Sequence, residues 1–213
     1  MIVKPFRGLR PRRDLAARIP SYPYDVLDSD EARKLAQGDP YTFLHVVKSE
    51  IDLDSSVEPY DERVYAKARE NLLAMIERGW LVQDGAEAYY VYRLVMRGHA
   101  QTGILGAAAV DDYLEGRIKR HEHTRPDKED DRTRHTTAIA AHPGPVFLAY
   151  RGVDPINVLV SGILEKAPGV DFVSPDGVRH TLWVVADPRT RSSIAALLAE
   201  VPTTYIADGH HRA

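Results

Sequence analysis

Between Arg117 and Arg134 the chain carries seven basic and five acidic side chains in eighteen residues, with His121 and His123 on either side of Glu122. A run this charged has no place in an apolar interior, so it must occupy a solvated loop or an exposed helix. The core then has to be built from the segments on either side. Charge alone reads as a solvent-facing surface. A second polar cluster, Asp208-Gly209-His210-His211-Arg212, closes a β-type segment. Each cluster combines acid, imidazole and guanidinium, which suits two walls of one site better than two unrelated surfaces.

At 213 residues and 44% hydrophobic content, the chain can build one large domain or two small ones. The net charge of −3 provides no basic field, which argues against a nucleic-acid partner. The absence of cysteine excludes disulfides and thiolate metal sites and fits a cytoplasmic location. No apolar run approaches the roughly 20 residues that span a bilayer, and the first residues lack the apolar segment of a signal peptide.

Residues 1–27, with Pro5, Pro11, Pro20 and Pro23, read as an extended arm ending in Tyr22-Pro23-Tyr24-Asp25-Val26. The two tyrosines suit packing, or Tyr24 and Asp25 line a pocket wall. Asp28-Ser29-Asp30-Glu31 has capping-box spacing and opens a short helix that stops at Gly38. Tyr41–Val47 reads as a strand. Tyr60–Arg78 reads as a helix with an apolar stripe of Val64, Ala68, Leu72, Met75 and Ile76. Trp80–Gln83, Ala88–Met96 and Ile104–Val110 read as an antiparallel meander, its third strand small-sided enough to admit a close neighbour. Pro126 begins a helix that continues over Asp127–Ala141. Strands at Val146–Tyr150, Val170–Val173, Val178–Val185 and Thr203–Ala207 then alternate with helices at Asp154–Lys166 and 187–200. A helix is expected after Gly209, so the sequence reads as the N-terminal part of a longer product.

A strand that ends in Asp-Gly exposes backbone N–H groups suited to phosphate, and Gly209 permits close approach. Arg212 can fork onto phosphate oxygens, with His210 and His211 as further donors. Glu122, flanked by His121 and His123 and near Lys119, Arg120 and Arg125, is the candidate general base for a hydroxyl attacking phosphorus. The competing reading is a metal centre of His121, His123, Asp208 and His210.

The segments Tyr22–Val26, Lys119–Arg132 and Tyr205–Arg212 together resemble the prokaryotic family called domain of unknown function 1015, over essentially the whole chain. More distantly, the Asp-Gly-His-His-Arg ending and the earlier His-Glu pair are similar to the free serine kinases, whose fold is related to the ParB and sulfiredoxin group. This resemblance implies Glu122 as catalytic glutamate and Asp208, Gly209, His210, His211 and Arg212 as a phosphate-binding motif. It also implies ADP or ATP with Mg²⁺ as cofactors. The separation between the two motifs is longer here than in those kinases.

The expected fold is α+β, with a mixed, largely antiparallel sheet, flanking helices and a ParB/sulfiredoxin-like second half. Residues 1–116 form the N-terminal region and 117–213 a phosphate- or nucleotide-binding region truncated at its C-terminal end. The expected function is a small-molecule kinase acting on serine or a similar hydroxy amino acid. Glu122, His121, His123 and Asp208 would be catalytic, and Gly209–Arg212 with Lys119, Arg125 and Arg132 would bind the nucleotide phosphates. The alternatives are a non-catalytic nucleotide-binding regulatory module and a metal-dependent hydrolase. A homodimer is compatible with this reading; a membrane partner is not.

Overall fold

The computed structural model describes residues 1–213. Its strands are β1 (Val3–Lys4), β2 (Leu9–Pro11), β3 (Leu81–Gln83), β4 (Tyr89–Met96), β5 (His99–Leu105), β6 (Ala107–Ala108), β7 (Ile118–Lys119), β8 (Phe147–Ala149), β9 (Val170–Val173), β10 (Arg179–Val185) and β11 (Thr204–Asp208). Its helices are α1 (Ser29–Ala36), α2 (Leu44–Val47), α3 (Glu62–Glu77), α4 (Val110–Leu114), α5 (Pro126–Ile139), α6 (Asp154–Leu164) and α7 (Pro188–Ala199). The protein is α+β with mostly antiparallel pairing. No helix is long and apolar enough to cross a membrane.

The chain forms two compact units from interleaved segments. The first comprises residues 1–13, 83–122 and 147–208; the second comprises 14–82, 123–146 and 209–213. The boundary expected between 116 and 117 therefore falls inside the first unit, just ahead of β7.

The first unit is built on a four-stranded antiparallel sheet in the order β5-β4-β10-β9. Alternation along β10 turns Thr181, Trp183 and Val185 inward. Trp183 and Val185 join Tyr89 and Val91 of β4, and Ile156, Ile163, Ile194 and Leu198 of α6 and α7, in one core. Burying each such large apolar side chain contributes about 1.5–3 kcal/mol. The Asp187 side chain caps α7 by accepting from Thr190 N–H at 2.8 Å, as its Asp-Pro opening predicts. The small-sided strand finds its close neighbour at Gly106, where a Cβ would lie 2.5 Å from Val3 Cγ1 on β1. A second, three-stranded sheet has the order β7-β11-β8, with β7 parallel and β8 antiparallel to β11.

The second unit is mainly helical. Asp28 and Glu31 form the expected capping box on α1. Helix α3 buries Val64, Tyr65, Ala68, Leu72 and Met75. Ile76, read as part of that stripe, is 39% exposed, and Tyr65 takes the inward position instead. The strand expected over Tyr41–Val47 is also corrected: Leu44–Val47 is a short helix that buries Leu44 and Val46. A short apolar run does not reveal its own period. Here Phe43 N–H is held by Ile19 O at 2.8 Å, and Asn71 of α3 donates to His45 O at 2.6 Å. These bonds fix a helical turn against the β-preference of the residues.

Candidate functional site

Both sequence clusters follow strands of the same small sheet. Lys119 closes β7 and leads into Arg120, His121 and Glu122, while Asp208 closes β11. Ile118 pairs with Thr204 and Lys119 with Tyr205 in parallel register. Residues 120–122 and Asp208 thus lie at the carboxyl ends of adjacent parallel strands, the position where α/β sheets present groups to ligands.

A bulge then aims Asp208. Thr204 and Ile206 point inward, each 2% exposed, and a period of two would send Asp208 after them. The register against β8 shifts between Ile206 and Asp208 instead, and Asp208 emerges exposed. Bulges re-aim side chains in this way. At the end of β7, His121 Nε2 lies 3.2 Å from Glu122 Oε1, both residues exposed. The Arg120 guanidinium is 4.7 Å from the Tyr113 ring centroid, so it is engaged by an aromatic face.

Each motif passes from the first unit into the second, between Glu122 and His123 and between Asp208 and Gly209. Gly209 is buried at φ +81°, a left-handed conformation that leads directly into a short 3₁₀ turn at His210–Arg212. A Cβ on Gly209 would lie 2.7 Å from Arg212 Nη2, and one on Gly144 3.2 Å from Arg212 Nε. Two glycines therefore leave the slot in which the Arg212 side chain lies. Its Nη2 donates to Pro145 O at 3.4 Å, and its guanidinium is 5.9 Å from the Tyr24 ring centroid. The His210 and His211 rings are 3.9 Å apart, centroid to centroid.

The Arg132 guanidinium lies 3.9 Å from the same Tyr24 ring. Its Nε and Nη2 both donate to Asp131 Oδ2, at 2.8 and 2.5 Å. Asp131 is only 5% exposed, and its Oδ1 accepts from Tyr65 O–H. Burial raises the Tyr24 phenol above its ordinary value, against the pull of Arg132, so the ring remains neutral. Arg132, Arg212 and Tyr24, drawn from three distant segments, meet within the second unit.

The other expected phosphate ligands are disposed differently. Arg125 pairs with Asp127 at 2.7 Å at the start of α5. His123 is exposed between Glu122 and α5. Lys119 is exposed on β7.

Asp131 and Tyr65 were not singled out by sequence reasoning. Asp131, His135 and Ile139 are spaced four apart and form the buried stripe of α5. Two of the three are polar, so a search for apolar periodicity passes over them. Within that stripe His135 Nε2 donates to Val46 O at 2.9 Å, and burial lowers its pKa and keeps the ring neutral.

A family model described as "Protein of unknown function (DUF1015)" matches residues 3–213. No curated protein and no solved structure matches the chain significantly.

Proposed function

The chain belongs to the DUF1015 family, and on that premise we propose that it is a phosphotransferase that moves a phosphoryl group from ADP or ATP to serine or a similar hydroxy amino acid. One observation carries the reading: the parallel pairing of β7 with β11 sets Glu122 and Asp208 at the carboxyl ends of adjacent strands. The nature of the acceptor rests on the resemblance of Asp208–Arg212 and the His121-Glu122 pair to the ParB-like free serine kinases.

In this reading Glu122 removes the proton from the acceptor hydroxyl as its oxygen attacks the terminal phosphorus. The bond from that phosphorus to the bridging oxygen breaks, and the shortened nucleotide leaves with the electron pair. Gly209, His210, His211 and Arg212, with Arg132, bind the phosphates. Asp208, an exposed carboxylate with hard oxygen donors, fits a magnesium ion, which when bound neutralises phosphate charge.

Phosphorus NMR with Mg²⁺, L-serine and either nucleotide tests this reading. A phosphomonoester signal is expected from the wild-type protein. Glu122→Gln should lower its rate by roughly 10²- to 10⁴-fold, the usual scale of general-base catalysis. Failure to form the product with both nucleotides overturns the assignment, and nucleotide binding without turnover would favour a regulatory module.

A further inference from the structure

We propose that the outer edge of β5 is an interface at which a second copy of this chain adds its own β5, antiparallel about a two-fold axis through Thr102. The interface lies within the first unit and is independent of the phosphotransfer reading.

β5 is the terminal strand in the order β5-β4-β10-β9, and β4 is its only ladder partner. Arg97 and Gly98, at φ +51° and +80°, form the tight primed turn that leads into it. This turn closes on the pair Met96–His99, and the register runs unbroken from there to Tyr90–Leu105. Residues of an antiparallel strand turn their N–H and C=O groups alternately toward and away from the neighbour. Counted from the turn, His99, Gln101, Gly103 and Leu105 face β4. The backbone groups of Ala100, Thr102 and Ile104 therefore point away from the sheet.

This edge lacks the devices that usually protect one. No Asp, Glu, Lys, Arg or Pro occurs from Gly98 to Val110. No bulge bends the strand, and His99 through Gly103 are exposed. The opposite edge differs: β9 is only 4 residues long and carries Asp171, which accepts from Arg179 Nε at 2.8 Å. A straight, uncharged row of outward donors and acceptors is a template for one more strand.

Symmetry and charge select a second copy as that strand. The outward residues are spaced evenly about Thr102. A two-fold axis there pairs Thr102 with itself and Ala100 with Ile104 in both directions, so every outward group finds a partner. Side chains of the two strands also stay on matching faces, because the register preserves their alternation. No ionised side chain meets its like across the axis. Arg93 stands opposite Thr102 on β4. The two copies of Arg93 are then three strand spacings apart, about 14 Å, which exceeds the screening length of about 10 Å at 0.1 M salt. The pairing joins two four-stranded sheets into one. A single strand pair buries little surface, so the dimer is weak and depends on concentration.

Sedimentation velocity from roughly 10 µM to 1 mM, the range suited to a small transient interface, tests the proposal. The wild-type chain should pass from monomer to dimer as concentration rises. Thr102→Lys sets two ammonium groups face to face at the axis and should weaken the dimer at least about tenfold. An equimolar mixture of Thr102→Lys and Thr102→Glu should restore it, a rescue that a merely disturbed fold would not show. Should Thr102→Lys fail to fold, Thr102→Glu alone carries the test: its carboxylate faces Arg93 in its own sheet but another carboxylate across the axis. A wild-type chain that stays monomeric throughout overturns the proposal. So does a mixture that fails to restore the dimer. A dimer that either single variant leaves unaffected also overturns it and places the contact on another surface.

Discussion

Tyr65 donates its phenolic hydrogen to Oδ1 of Asp131 across 2.9 Å, joining α3 to α5 through a buried carboxylate whose other oxygen holds Arg132. Burial raises the Tyr65 phenol well above its usual value, with Asp131 adding to the effect. Tyr65→Phe keeps the ring but removes this donor. The variant should lose about 1–3 kcal/mol, measured by urea denaturation, because a buried acceptor loses one partner. Unchanged stability would show that Asp131 needs only its arginine.

A second prediction concerns pH. His45 Nδ1 lies 2.9 Å from both oxygens of Asp52, and its Nε2 is 3.1 Å from Asp39 O. The bond to Asp52 raises the imidazole above its ordinary 6.5, outweighing burial. Its contribution to stability is therefore full below about pH 6.5 and is lost as pH rises through the elevated folded value. Burial pushes Asp52 up, but hydrogen bonds from His45 and Asn71 hold it below its ordinary 3.8. Its own contribution is present above that value and lost as pH falls through the lower folded one. The urea midpoint should decline as the pH rises from about 6.5 through the elevated folded value in the wild-type protein, and His45→Gln should flatten this decline. An equally steep decline in the variant would assign the titration to another group.

Asp112 is 0% exposed, and its oxygens meet Ile2 N–H at 2.6 Å and Arg117 Nε at 2.8 Å. It anchors the first residue of the charged stretch to the first unit. Asp112→Asn should cost about 1–3 kcal/mol, because Arg117 is half-exposed and water can take over part of its solvation. A thermal midpoint that stays at the wild-type value would sink this account.

Gly106 allows β1 to approach β6. Alanine there would bring a methyl within 2.5 Å of Val3 Cγ1 and 3.2 Å of Lys4 O. Gly106→Ala should destabilise by about 1–3 kcal/mol. Adding Val3→Ala should recover part of that loss, giving a coupling energy of about 0.5–3 kcal/mol in a double-mutant cycle. Strict additivity would mean that backbone, not Val3, sets the limit.

Much of the fold was legible because local signals agreed with it. Asp28 with Glu31, Asp187 before Pro188, and the alternation through Thr181, Trp183 and Val185 each specify an element without help from distant residues. Leu44–Val47 failed because its conformation is imposed by Ile19 and Asn71. Of the candidate site, Glu122, Asp208, Arg132 and Arg212 were singled out from residue type and from the resemblance. The parallel register of β7 with β11, and the approach of Tyr24 to both arginines, were not readable, because they depend on contacts between segments far apart in sequence. The bulge before Asp208 left no turn residue or proline to announce it.

The pairing of Ile118 with Thr204 also constrains the timing of assembly. While the chain is being made, β7 emerges long before its parallel neighbour, and the first unit must wait for β11 to close its smaller sheet. Glu122 is synthesised early yet acquires its sheet partner late. Interrupting translation between these strands would leave Ile118 and Lys119 without the parallel partners, Thr204 and Tyr205, that fix the start of the charged segment.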